Sequence, residues 1–220
     1  QAHSQELLEV DMIDAKLGDL ALSLAEPMRV ERKGDGVELA RARLRVGTGA
    51  VIVRGYYAAD SLRAELQFDA LPVAPLIAAP DLDLRGAVTG NLTVVEDGNG
   101  PRIDAVVSLD GFQLNRLLDQ KILAGDGRAE LHFSQGTGSG RLQFAGTRGE
   151  SVQASAQVPM DLSLRPFAWG LAEGGTLQGR LSVDADVGGA LRPLMPIGNE
   201  LEGRLSGDVA IDGAVAAPDI

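Results

Sequence analysis

The amino-acid sequence predicts an all-β protein built from antiparallel strands. Apolar residues alternate with small or polar residues through most of the 220-residue chain, and glycine-rich turn signals separate the alternating runs. The chain holds 28 glycines but only five Phe, two Tyr and one Trp. Alternation with a period of two places apolar side chains on one face of each strand. We therefore expect roughly a dozen short strands, each with one apolar and one polar face.

The alternating runs and the turns between them can be placed along the chain. The clearest runs are residues 20–24, 40–46, 62–68, 152–158 and 201–211. The strongest turn signals are residues 33–36, 97–101, 124–127 and 136–138. A few short helical inserts are expected at residues 75–79, 114–123, 166–172 and 191–197. None is long enough to be stable in isolation, so each would lean on the sheet.

An internal repeat is the most informative feature of the sequence. The stretch PLIAAPDLDLRGAVTG (residues 75–90) resembles PLMPIGNELEGRLSG (residues 193–207), and PFAWGLAEGGTLQGRLS (residues 166–182) is a looser copy. In each copy a proline and an apolar cluster precede a strand of the form L-x-G-x-L or L-x-G-x-V. A repeated supersecondary unit predicts a structure that extends by stacking similar elements, and glycines on the apolar face mark bends or close approaches.

Together with LQFAGTRGESVQASAQVPMDLSLRP (residues 142–166) and the final LEGRLSGDVAIDGAVAAPDI, this repeat resembles the TamB (translocation and assembly module B) family. AsmA-like proteins are more distantly similar. The resemblance covers the chain from about residue 62 onward and implies a repetitive open β-structure, a β-taco, with an apolar groove. Residues 1–220 would then be a single continuous β-repeat segment, a fragment of a longer chain.

The resemblance also implies a function. Members of the family are anchored in the inner membrane, reach across the periplasm, and are implicated in phospholipid movement and in outer-membrane protein assembly. The implied partners are phospholipid acyl chains and, through parts outside this segment, an outer-membrane assembly factor of the TamA type. The residues expected to line the lipid groove are Leu84, Val88, Leu92, Leu181, Val183, Leu205, Val209 and Ile211.

An alternative fold and function stay open at this point. Alternation by itself favours a closed β-sandwich whose two apolar faces cover each other, whereas the resemblance favours an open groove. A closed repeat structure would suit a spacer or an adhesion stalk that binds no ligand. An open apolar lining of Leu, Val, Ala and Ile would suit a sliding acyl chain.

Composition excludes several classes of protein. The net charge of −11 disfavours nucleic-acid binding, which needs a basic surface. Cysteine is absent, so disulfides, thiolate metal sites and cysteine nucleophiles are excluded. His132 stands between two apolar residues and is expected on the solvated face rather than in a catalytic site. The sequence contains no nucleotide-binding or nucleophile-elbow motif, so we expect no enzyme activity, cofactor or metal.

Two further features could bind partners. Arg41, Arg43 and Arg45 alternate with apolar residues and form a positive patch that could contact an anionic group, or could pair with carboxylates on neighbouring strands. Residues 201–211 form a strand whose next neighbour is expected beyond Ile220. Its open edge could pair with another copy of the chain.

Overall fold

The computed structural model describes residues 7–17, 20–74, 82–116, 120–172, 174–186, 203–214 and 217–219, and every regular element in them is a β-strand. The expected all-β, antiparallel and repetitive fold is therefore confirmed. The strands are β1 (Leu7–Val10), β2 (Asp14–Leu17), β3 (Leu20–Leu24), β4 (Met28–Lys33), β5 (Gly36–Val46), β6 (Gly49–Tyr57), β7 (Leu62–Pro72), β8 (Leu82–Asp97), β9 (Gly100–Arg116), β10 (Gln120–Ser134), β11 (Thr137–Gly146), β12 (Ser151–Leu164), β13 (Phe167–Leu171), β14 (Thr176–Asp186), β15 (Arg204–Ala214) and β16 (Ala217–Asp219).

These sixteen strands of the described residues form one antiparallel sheet. From β4 to β12 each strand pairs with the next in the chain, and the ladder continues through β14, β15 and β16. The β2–β3 hairpin attaches to β5, while β13 pairs only with the second half of β12. No pairing joins β1 to β16 among the described residues, so the sheet is open rather than closed into a barrel.

The register gives the sheet two distinct faces. Directly paired residues of antiparallel strands point to the same side. Leu44 of β5 pairs with Val51, which pairs with Phe68 of β7, so apolar residues meet apolar residues from strand to strand. We call this side the apolar face and the opposite side the polar face. Irregular register between Leu39 and Ala42, Phe68 and Leu71, Arg85 and Ala87, and Gly125 and Gly127 marks local bulges.

Two of the expected helical inserts are wrong. Within this stretch, residues 114–116 belong to the end of β9 and residues 120–123 to the start of β10, and Leu114 pairs with both Leu84 and Leu123. The neighbouring Asn115 is buried, and its side-chain amide donates a hydrogen bond to Asp83 at 3.2 Å. This cross-strand pairing outweighs the local apolar pattern that suggested a helix. Residues 166–172 contain β13, because five residues gain more from pairing with β12 than from an isolated helical turn.

The other sequence expectations had mixed outcomes. The helices expected at residues 75–79 and 191–197 lie outside the described residues. The turns expected near residues 34, 98 and 136 are hairpin turns, but residues 124–127 lie inside β10, where the glycines accommodate a bulge. Gly86 and Gly203 occupy equivalent positions in the two closest copies of the repeat, and both have a positive φ, 128° and 157°. Each of the two glycines therefore has a φ that other residues rarely adopt.

The buried core of the described residues is small. Nine apolar residues are buried, and four of them are alanines. The main cluster is built on Val46 and Leu71, with Leu22, Val51, Phe68 and Val88 packed against it. This cluster lies near the β5–β6 turn and the end of β7. A sandwich with two covered faces would bury many more large side chains.

Candidate apolar binding face

The cross-strand register brings the eight sequence-predicted lining residues to one face. One row runs Val107, Ala129, Leu142, Ala154, Leu181 and Val209. The row on one side of it runs Leu92, Ala105, Leu131, Gly140, Ala156, Gly179 and Ile211, and the row on the other side runs Val88, Leu109, Gly127, Phe144, Val152, Val183 and Gly207. Leu205 alternates with Gly207 on β15, and Leu84 pairs with Leu114 next to a bulge.

Much of this face is uncovered from β10 to β15. Leu131 is 51% exposed, Leu142 44% and Leu205 59%, although all three are large and apolar. Leu181 and Val209 are exposed as well. Single exposed leucines are common on proteins, but a set of large apolar residues exposed on four strands of one face is not. Leu131 and Leu142 were missed as candidate residues, although the same alternation that identified Leu181 extends through their strands.

The face is filled at the end that contains the Val46 and Leu71 cluster. Leu84 belongs to this filled region, since it is only 7% exposed. Val88, also expected to line a groove, packs against the Val46 and Leu71 cluster. These two residues therefore act chiefly in packing, whereas Leu205 and Val209 at the other end of the sheet are accessible.

The hairpin of residues 160–171, which we call the flap, lies at the end of the strands opposite the Val46 and Leu71 cluster. It extends past the neighbouring hairpins. Arg165 at its turn donates to the Glu96 carboxylate at 2.7 Å and to the carbonyl oxygens of Ala58 and Ala59 at 2.8 and 3.0 Å. Its guanidinium group also lies 5.9 Å from the ring centre of Tyr57. Six ladder positions separate β6 from β12, which would be about 29 Å in a flat sheet. The sheet must therefore curve around its apolar face to allow these contacts.

An apolar cleft of about 580 Å³ lies between the flap and the tips of two neighbouring hairpins. Pro101, Phe133, Met160, Leu162 and Trp169 supply its apolar lining. Trp169 is 67% exposed, so one side of its ring is open to solvent. Sequence reasoning did not find the flap, because the contacts of Arg165 span 69 and 107 residues and leave no local signal.

One of the three arginines predicted to form a positive patch on β5 is engaged in an ion pair. Ala42, Leu44 and Val46 belong to the apolar face, so Arg41, Arg43 and Arg45 point to the polar face. Arg43 forms an ion pair with Asp69 at 3.1 Å. Within the described part of the chain, no ion pair or hydrogen bond engages the side chains of Arg41 or Arg45. The three residues therefore do not act as three equivalent free cations.

His132 is exposed, as expected, but it has defined partners. Its Nδ1 lies 2.5 Å from a carboxylate oxygen of Asp104, and its Nε2 lies 2.9 Å from the hydroxyl oxygen of Ser134. The pair with Asp104 crosses from β10 to β9 on the polar face. Sequence reasoning placed His132 on the correct face but could not identify Asp104, since the register was unknown.

The described residues contain no helix long and apolar enough to cross a membrane, and no cluster of three or more metal-ligating side chains. No family model, curated protein or solved structure matches the chain.

Proposed function

We propose that the apolar face binds phospholipid acyl chains and that the protein is a periplasmic segment of an envelope-biogenesis protein. The observation that carries this proposal is the set of exposed residues on β10, β11, β14 and β15, with the small Ala154 of β12 between Leu142 and Leu181: Leu131, Leu142, Leu181 and Val209. The role is one of binding and guiding rather than of catalysis. The resemblance to the TamB family supports movement of lipid between the inner and outer membranes, outer-membrane protein assembly, or both.

The lining suits a ligand that must slide. Leu, Val, Ala and Gly offer no hydrogen bond that would fix an acyl chain at one position. Transfer of each methylene from water is favourable by about 0.8 kcal/mol, so partial burial of a chain already gives several kcal/mol. The cross-strand rows of the apolar face are evenly spaced and similar in composition. An acyl chain that moves from one row to the next would therefore meet no large energy barrier.

The family resemblance supports the remaining parts of the proposal. The complete protein would be anchored in the inner membrane and would reach an outer-membrane partner of the TamA type through parts outside residues 1–220. The open edge of β15 offers a second mode of association. β14 pairs with all of β15, but β16 pairs only with Asp212–Ala214, so Arg204–Ile211 has one edge without a described neighbour.

A structural spacer or adhesion stalk is the second candidate. The packed cluster around Val46 and Leu71 favours it, because that end of the apolar face is filled by the chain's own side chains. A stalk would require the exposed leucines to be covered in the functional state. The two candidates therefore differ in what contacts Leu142 and Leu181.

Lipid extraction followed by mass spectrometry of the purified protein tests the proposal. We expect phospholipid to co-purify with the wild type and to be lost in Leu142→Glu and Leu205→Glu. A charge on an exposed apolar lining lowers acyl-chain affinity without requiring the sheet to unfold. The matched control is Gln143→Glu, which places the same charge on the polar face one residue away.

The result that would overturn the proposal is equally direct. A wild type without bound lipid, even after incubation with phosphatidylethanolamine and phosphatidylglycerol in detergent, would favour the stalk. Equal lipid retention in Leu142→Glu and Gln143→Glu would also favour the stalk. Circular dichroism of each variant checks that the β-sheet is intact.

A further inference from the structure

Two arginines on the polar face differ from most of the others in the molecule. Arg141 and Arg180 take part in no ion pair or hydrogen bond with any side chain, as far as the described residues extend. Most other described arginines have a carboxylate partner: Arg29, Arg43, Arg54, Arg63, Arg85, Arg102, Arg128, Arg148, Arg165 and Arg204. Arg41 and Arg45 on β5 also lack a partner among the described residues, but Arg141 and Arg180 differ from them in lining one cleft together.

Both arginines line the same cleft. Arg141 pairs with Ser155 across β11 and β12, and Ser155 pairs with Arg180 across β12 and β14. The two arginines are therefore two ladder positions apart, about 10 Å, with a serine hydroxyl between them. Both arginines line a cleft of about 650 Å³, which we call the polar cleft. Arginine side chains are long enough for both guanidinium groups to reach one small anion at its centre.

The two acidic residues of this polar cleft, Asp104 and Glu130, each have a partner other than Arg141 or Arg180. Glu130 accepts a hydrogen bond from Arg128 at 2.9 Å, and Asp104 is paired with His132 at 2.5 Å. The remaining polar lining is neutral and is supplied by Ser139, Ser155, Gln157 and Gln178. Glu130 also lies directly opposite Arg141 in the register, and Asp208 lines a neighbouring cleft together with both arginines. The two arginines of the polar cleft therefore differ from its two carboxylates in lacking a described partner, not in number.

We propose that the polar cleft binds a phosphate monoester through Arg141 and Arg180. The planar guanidinium fork matches phosphate oxygens in a bidentate manner. A monoester carries between about −1.5 and −2 charges at neutral pH, which matches two arginines better than a singly charged carboxylate does. The hydroxyl of Ser155 and the side-chain amides of Gln157 and Gln178 supply further donors.

The guanidinium groups of this site and the side chains of the proposed acyl-chain site lie on opposite faces of the sheet. Arg141 and Leu142 are neighbours on β11 and point to opposite faces of the sheet, as do Arg180 and Leu181 on β14. The phosphate could come from a soluble ester or from a lipid with a terminal phosphate, and the chemistry of recognition is the same. The inference does not rest on the proposed lipid function and can fail or hold without it.

Titration of ¹⁵N-labelled protein with inorganic phosphate, and with acetate at matched ionic strength, tests the site by NMR. We expect saturable shifts at residues 139–141, 155–157 and 178–180 with phosphate, and at least about tenfold weaker binding of acetate. Arg141→Gln and Arg180→Gln should each weaken phosphate binding by about tenfold or more. Arg43→Gln on the same face is the control and should bind as the wild type does, because Arg43 lies outside the cleft and is paired with Asp69.

A second experiment identifies the source of the phosphate. Phosphatidylcholine vesicles containing phosphatidic acid present a monoester, and those containing phosphatidylglycerol present only diesters. Co-sedimentation with the first alone, lost in the Arg141→Gln/Arg180→Gln variant, assigns a lipid source, whereas binding of glycerol phosphate without vesicle binding assigns a soluble one. Non-saturating shifts, equal responses to phosphate and acetate, or unchanged binding by the double variant would overturn the proposal.

Discussion

Gly90 and Gly207 hold equivalent positions in two copies of the repeat, but their surroundings differ. A Cβ atom on Gly90 would meet the carbonyl oxygen of Val106 on β9 and lie 2.9 Å from the Cα atom of Val107. A Cβ atom on Gly207 would meet nothing within 4 Å. The first glycine allows two strands to approach closely, whereas the second leaves an open position on the apolar face.

We predict that Gly90→Ala lowers the free energy of unfolding by about 1–3 kcal/mol, because β8 and β9 must separate to admit the methyl group. Gly207→Ala should change it by no more than about 0.5 kcal/mol. Urea denaturation followed by circular dichroism measures both. Equal effects of the two substitutions would show that the close approach at Gly90 contributes nothing specific to stability.

At the scale of the element, the flap is held chiefly by Arg165. Its side chain and that of Glu96 are only 23% and 14% exposed, so their ion pair is screened less than a surface pair. Removal of the arginine would leave the Glu96 carboxylate and the carbonyl oxygens of Ala58 and Ala59 without their donor. The cost of such orphaned groups exceeds the modest worth of a surface ion pair.

We predict that Arg165→Ala releases the flap while the rest of the sheet stays folded. Amide hydrogen exchange of Phe167–Leu171 should become at least about tenfold faster, which corresponds to about 1.4 kcal/mol of local stability. Arg128→Ala, which removes an exposed pair on β10, is the control and should leave exchange in the flap unchanged. Unaltered exchange in Arg165→Ala would mean that strand pairing with β12 alone holds the flap.

Sequence reasoning reached the elements but not the contacts between distant ones. The alternation of Leu181 and Val183 fixes which side chains share a face, so the apolar face could be predicted strand by strand. The register shift at Gly125 and the strand conformation of Leu114 could not, because tertiary pairing decided them against local propensity. Arg165 and the pair of Arg141 and Arg180 become recognisable only when the curvature and register of the sheet are known.

At the scale of the whole molecule, exposed ion pairs link stability to pH. Hydrogen bonds from Arg54 and then from Arg63 hold the pKa of Glu65 below its ordinary value. The Arg204 guanidinium lowers the pKa of Asp184 in the same way, across β14 and β15. A carboxyl group with a lowered pKa in the folded state stabilises the fold at neutral pH. That contribution is lost as the pH falls through the folded-state pKa.

We predict that the difference in unfolding free energy between the wild type and Glu65→Gln is largest near neutral pH. It should shrink toward zero as the pH falls below the ordinary range of glutamate, since both proteins then carry a neutral side chain. Acidification also relieves charge repulsion in a chain of net charge −11. That effect acts on both proteins, so it cancels in the difference between their unfolding free energies. Urea titrations between about pH 7 and pH 3 measure it, and a difference independent of pH would exclude the ion pairs as its cause.

The order of strands in the sheet has a consequence for biogenesis. From β4 onward almost every strand pairs with one made immediately before it, so each new hairpin finds a finished template at the growing edge. The chain can therefore fold progressively as it is synthesised, without waiting for its last residues. Among the described contacts, the closure of Arg165 onto Ala58, Ala59 and Glu96 is one that must await distant parts of the chain. The sheet would then acquire its curvature late, after its strands have already paired.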